Sequence, residues 1–196
     1  VLIGIPMTEK SESQSIPAGL RQIARSFSRT GWISFWSQVV LGVISGVVLL
    51  VSSAFGGNPN ANQNNPGTGF GAFLAVCGLL VLGGSIYMAF RYTIIAKQLQ
   101  SPNPSQRPRK ADTIQVLRLG LMVNLAGMLV TLFGAYAIVG TLVGKSISQG
   151  QTALLDPNRV ISGLDMFVVQ ANINTIGAHF VGIVATLWLL NRISRT

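Results

Sequence analysis

Two ionisable side chains fall where an apolar helix would carry them, Asp165 and His179. Asp165, Asn172, His179 and Thr186 recur every seven residues, a spacing that keeps them on one face of a helix in a left-handed bundle. An ionisable group at membrane depth is costly and marks ion paths and proton relays. Oxygen and imidazole donors suit iron or manganese, whereas Cys77 alone offers too little sulfur for a soft-metal site. Asp165 and His179 are 14 residues apart, ~21 Å along a helix at ~1.5 Å per residue. Each is a candidate metal ligand, but the two do not share one coordination shell. A single histidine and a single cysteine also exclude a Cys/His zinc site. The sequence has no Walker loop, nucleophile elbow, metalloprotease signature or paired-carboxylate site, so it does not read as an enzyme.

Other small or polar stripes share the heptad spacing. Gly120, Gly127 and Gly134 are seven apart, with Asn124 and Thr131 on the same face. Gln38, Ser45 and Ser52 form a second row, and Gly78, Ser85 and Tyr92 a third. Small residues let helices approach closely, and an asparagine among them bonds across the contact. Asn124 should therefore face the interior, bonded to Gln38, Ser45 or the last helix. Asn124, Asp165, Asn172 and His179 are the candidate substrate or metal path. Gly120, Gly127, Gly134, Gln38 and Ser45 are candidate helix-packing positions. The alternative is that every stripe is packing glue.

The elements that must hold these stripes are membrane helices. Of 196 residues, 49% are hydrophobic and 10% charged, against about 25% charged in soluble domains, and the mean hydropathy is +0.52. Such a chain is neither an ordinary soluble enzyme nor disordered. Apolar stretches cover about 32–55, 70–95, 117–143 and 171–190, and each has room for the ~20 residues that cross ~30 Å of hydrocarbon. Backbone groups in lipid must bond within their own segment, which demands helices, and the alternating strands of a transmembrane barrel are missing. The expected fold is all-α, an integral membrane four-helix bundle. A basic segment over 1–31 precedes the spanning domain, 32–190, and a basic tail, 191–196, follows it. A signal-peptide reading of the first span is outweighed by its long basic flank, so the span is taken as retained.

Charge sets the orientation. Twelve positive residues lie before the first span, in or beside the connection between the second and third (with Arg91 and Arg118 at the adjoining span ends), or after the fourth, and two lie on the other side. The positive-inside rule puts both termini and the middle loop in the cytoplasm, with Trp32, Trp36, Tyr92 and Trp188 as an interfacial belt. Reporter fusions should therefore place residues 56–69 outside and both ends inside; either terminus outside would overturn this topology. The +9 net charge is used up by that asymmetry and does not imply nucleic-acid binding.

Between the spans, Arg21, Arg25 and Arg29 form an i, i+4, i+8 row opposite Leu20, Ile23 and Phe27. This predicts a short amphipathic helix on the inner surface, its arginines near anionic headgroups. The middle loop, with three prolines, should be extended. Asp112 with Gln115 reads as a capping box for the third helix. Asp156-Pro157 reads as the start of a last helix running to about Leu190.

Several runs carry a resemblance: Gly31-Trp32 and Phe35-Trp36-Ser37-Gln38, Pro108 to Asp112, Leu117 to Asn124, Leu164 to Asn172, and His179-Phe180. Together they resemble the permease-in-chloroplasts family, also described as the twenty-one-kilodalton component of the inner-envelope translocon, and its cyanobacterial relatives. The resemblance runs from Arg21 to Leu190 and implies a four-spanning protein assigned to iron uptake and, competingly, to protein import. With no plastid transit peptide in view, it points to a cyanobacterial-type member of the plasma or thylakoid membrane. The expected function is then a small permease or permease subunit handling a metal ion, with iron as cargo and no certain cofactor. The competing expectation is an assembly or accessory subunit of a larger membrane complex. Four helices enclose little space, so a homo-oligomer or a membrane-complex partner is expected.

Overall fold

The computed structural model describes residues 17–55, 66–152 and 163–195. Among these, four helices carry the chain: α1 (Ala18–Phe55), α2 (Pro66–Leu99), α3 (Lys110–Thr152) and α4 (Gly163–Ser194). All are long and apolar enough to cross a membrane. At ~1.5 Å per residue each exceeds the ~30 Å of a hydrocarbon core, so the helices must run past the bilayer or tilt within it. Residues 56–65 of the first loop and 153–162, with the expected Asp156-Pro157 start, lie outside the described residues, while 66–69, expected as loop, form the first turn of α2.

Cross-contacts fix the topology. Gly31 lies against Thr93 and Gly42 against Leu82, so α1 and α2 are antiparallel. Gly71 meets Ile138 and Gly120 meets Tyr92, which makes α2 and α3 antiparallel. Gly127 against His179, and Lys145 beside Asp165, do the same for α3 and α4. Gly182 against Gln38, and Ser45 bonded to Ala171, close the ring between α4 and α1. The result is an up-down-up-down bundle with α2 and α4 across its shorter diagonal.

Burial is inverted relative to a water-soluble bundle. Leu50, Phe73, Leu80, Met122 and Tyr136 point outward, each more than 60% exposed, while Gln38, Ser85, Asn124 and His179 are at most 2% exposed. With lipid outside, apolar side chains gain nothing by hiding, and the interior goes to small and polar groups. Trp32 and Trp36, stacked with ring centroids 6.1 Å apart, sit half exposed near one end, as an interfacial belt requires.

That end is the basic one. Arg21, Arg25, Arg29, Lys97, Arg109, Lys110, Arg192 and Arg195 all lie there. It also holds an apolar cluster of Ile23, Phe27, Tyr92, Leu99, Leu117, Leu189 and Ile193. This cluster corrects the first expectation. Residues 18–31 are not a separate surface helix but the first turns of α1, with Phe27 fully buried. Gly31 does not break the helix; it lets α1 approach Thr93 and Ala89.

Three further expectations change. Tyr92 is interior, 2% exposed, and does not join the lipid-facing belt. The middle loop is not extended throughout, because Pro104–Gln106 forms a 3-10 turn capped by Asn103, whose Oδ1 accepts from Ser105 N at 3.1 Å. Asp112 does not cap α3, which starts two residues earlier at Lys110; it lies in the first turn, where a carboxylate still favours the positive helix end.

Candidate functional site

The heptad rows converge on the middle of the bundle. Asn124 on α3 is the hub: its Nδ2 donates to Gly120 O at 2.9 Å, and its Oδ1 lies 2.6 Å from Ser85 Oγ and 3.3 Å from His179 Nδ1. Ser85 Oγ is also 2.9 Å from Gln38 Oε1, and Gln38 Nε2 is 3.2 Å from Ser34 Oγ. One polar chain thus joins α1, α2, α3 and α4 at one level.

Proton counting orders this chain. Ser85 has one hydroxyl hydrogen and two acceptors beside it. Amide orientation follows from the network. Ser85 donates to the nearer Asn124 Oδ1, and a Gln38 amide turned to donate to Ser85 can accept from Ser34. His179 is different. Its Nδ1 faces Asn124 Oδ1 and its Nε2 faces Gly78 O at 3.4 Å. Both neighbours are acceptors, yet a neutral imidazole has one N–H. With Nδ1–H donated to Asn124, the Nε2 lone pair faces the Gly78 carbonyl; with Nε2–H donated to Gly78, the Nδ1 lone pair faces Asn124 Oδ1.

Glycines make this level possible. A methyl group at Gly127 would overlap the His179 ring, one at Gly182 would overlap the amides of Asn124 and Gln38, and one at Gly120 would overlap the Tyr92 hydroxyl. The Tyr92 hydroxyl lies 3.2 Å from Thr186 Oγ1, which in turn donates to Gly182 O at 2.7 Å. On the other side of the hub, Ser45 and Thr175 both donate to Ala171 O at 2.9 Å.

Asn172 is 1% exposed, and its Nδ2 donates to Val168 O at 3.2 Å while its Oδ1 has no partner. Ser52 Oγ is also buried without a partner. Gly134 packs against Leu74 and Ala75 of α2, well away from the polar hub. Asp165 stands at the end opposite the basic one, 3.5 Å from Lys145 Nζ. Asp165 and His179 are not brought together, and among the described residues no three His, Cys, Asp or Glu side chains cluster as a metal site. Arg21, Arg25 and Arg29 are exposed on α1 or half so, where headgroups could reach them.

Sequence reading placed Asn124, Asn172 and His179 on the right face but overlooked Gly182, Ser34 and the Lys145–Asp165 pair. Gly182 had a signal: it falls three residues after His179, on the same face. Ser34 had one too, four residues before Gln38.

A family model described as a protein of unknown function, DUF3611, matches residues 17–194. The chain belongs to that family. It is also similar to "Protein TIC 21, chloroplastic" of Arabidopsis thaliana, with 32% identity over 195 residues, covering 95% of this chain and 62% of that protein. No solved structure matches. Family membership and the four apolar helices make the DUF3611 chain an integral, multi-pass membrane protein.

Proposed function

We propose that this DUF3611 protein is a small permease, or the membrane subunit of one, moving a metal ion, with iron the leading cargo. The observation that carries this reading is the environment of His179. Both ring nitrogens face oxygen acceptors, Asn124 Oδ1 and Gly78 O, at the centre of the bundle. A neutral imidazole leaves one of its nitrogens with a lone pair facing an oxygen, which a cation would relieve, and nitrogen with oxygen donors suits iron or manganese. The polar file along α4 continues from there to Asn172, whose Oδ1 is an unused buried acceptor, and to Asp165. The resemblance to the permease-in-chloroplasts family supports the same cargo. Arginines at one end and the charge asymmetry support an orientation with that end in the cytoplasm.

A second reading, an accessory subunit of a larger membrane complex, is favoured by the glycine contacts, which leave the hub tightly closed. Reconstitution into liposomes separates the two. The permease reading expects protein-dependent uptake of radiolabelled ferrous iron. Absence of flux, together with stable co-purification in a large complex from native membranes, would establish the second reading instead.

A further inference from the structure

A cavity of about 320 Å³ opens at the basic end, among Leu20 and Ile23 of α1, Leu99 of α2 and Ile193 of α4, with Arg107 and Lys110 at its polar wall. It lies apart from the His179 hub. Its volume is at the lower end of the ~300–1,000 Å³ of small-molecule sites. Its lining is mostly apolar and includes two cationic side chains, Arg107 and Lys110, the complement of an anionic amphiphile.

Depth narrows the occupant. The exposed apolar belt ends near Ile94 on α2 and Trp188 on α4. Leu99 and Ile193 each lie five residues farther, ~8 Å at ~1.5 Å per residue. The headgroup region occupies ~5–8 Å on each face of a bilayer. The cavity therefore lies at headgroup depth, where the abundant anionic amphiphile is a membrane lipid. Arg107 is held in place, its Nε donating to Ser101 O at 3.1 Å, which leaves the terminal guanidinium nitrogens free of that bond. Lys110 is exposed at the first residue of α3.

We propose that this cavity binds one anionic phospholipid, its phosphate between Arg107 and Lys110 and its glycerol and first methylenes against Leu20, Ile23, Leu99 and Ile193. This differs from diffuse attraction of headgroups to Arg21 or Arg25, because it is a single saturable site with an apolar wall. The lipid would staple the start of α1 to the α2–α3 link and the end of α4.

The test is native mass spectrometry of the delipidated full chain titrated with dioleoyl phosphatidylglycerol or dioleoyl phosphatidylcholine. One phosphatidylglycerol should bind more tightly than any phosphatidylcholine. Lys110→Gln should weaken it about fivefold, the effect of removing one cation near the surface. Lys97→Gln, an equal charge change at the same end but outside the cavity lining, should leave it unchanged. Leu20→Trp, which fills the cavity, should remove the tight site while the far-UV spectrum stays helical. Equal binding of the two lipids would overturn the site, as would equal losses in Lys110→Gln and Lys97→Gln, or full displacement by inorganic phosphate. Binding that appears only after residues 1–16 are removed would assign the cavity to the chain itself and also overturn it.

Discussion

Replacing Gly127 by leucine will keep the bundle from closing. Its α-carbon faces the His179 ring so closely that even a methyl group overlaps it, and backbone on α3 cannot give way without moving the Asn124 level. Overpacking of this kind costs about 1–3 kcal/mol and sometimes more. At this chain length each kcal/mol moves Tm by about 2–4 °C. Gly127→Ala should lower the melting temperature in mild detergent by several degrees, and Gly127→Leu should aggregate. The contact is specific, so a double change tests it. Gly127→Ala with His179→Ala should be more stable than the two single losses add up to, because the smaller side chain makes room for the new methyl. Strict additivity would mean that the two residues do not touch.

Asn124→Leu is the second large effect. It strips Ser85 and His179 of their shared acceptor and Gly120 O of its side-chain donor. Each interhelical bond in a membrane is modest, averaging ~0.6 kcal/mol. Leaving buried partners unsatisfied is worse, about 1–3 kcal/mol. Leucine's branched end also meets Gly182, whose α-carbon sits against the Asn124 amide. Asn124→Ala removes the bonds without the bulk, so comparing the two melting curves divides the effect. Both should melt below wild type, leucine lowest. A leucine variant as stable as wild type would mean that α3 presents another face.

The periodic part of this architecture was legible. A repeat of seven needs no tertiary information, and Gln38, Ser45, Ser85, Asn124, Asn172 and His179 are all interior as that repeat requires. The end of α1 was misread because an amphipathic row looks the same whether Ile23 and Phe27 face a lipid surface or a neighbouring helix. Tyr92 had two readings, a member of the interior row with Gly78 and Ser85 and an aromatic of the lipid interface; its burial, with the hydroxyl against Gly120, favours the row over the belt. The Lys145–Asp165 pair was hidden because its residues are 20 apart in sequence on different helices. The two oxygen neighbours of the His179 ring could not be read at all, since Gly78 contributes a backbone carbonyl and its type says nothing of where that oxygen points.

The central claim is that the His179 level carries the ion, not merely the packing. The most direct measurement is radiolabelled ferrous iron uptake by liposomes holding equal amounts of folded wild-type or His179→Ala protein, each checked as monodisperse before reconstitution. The account predicts uptake by wild type and loss of most of it in His179→Ala. Equal uptake by the two proteins would contradict it and leave His179 as a packing residue.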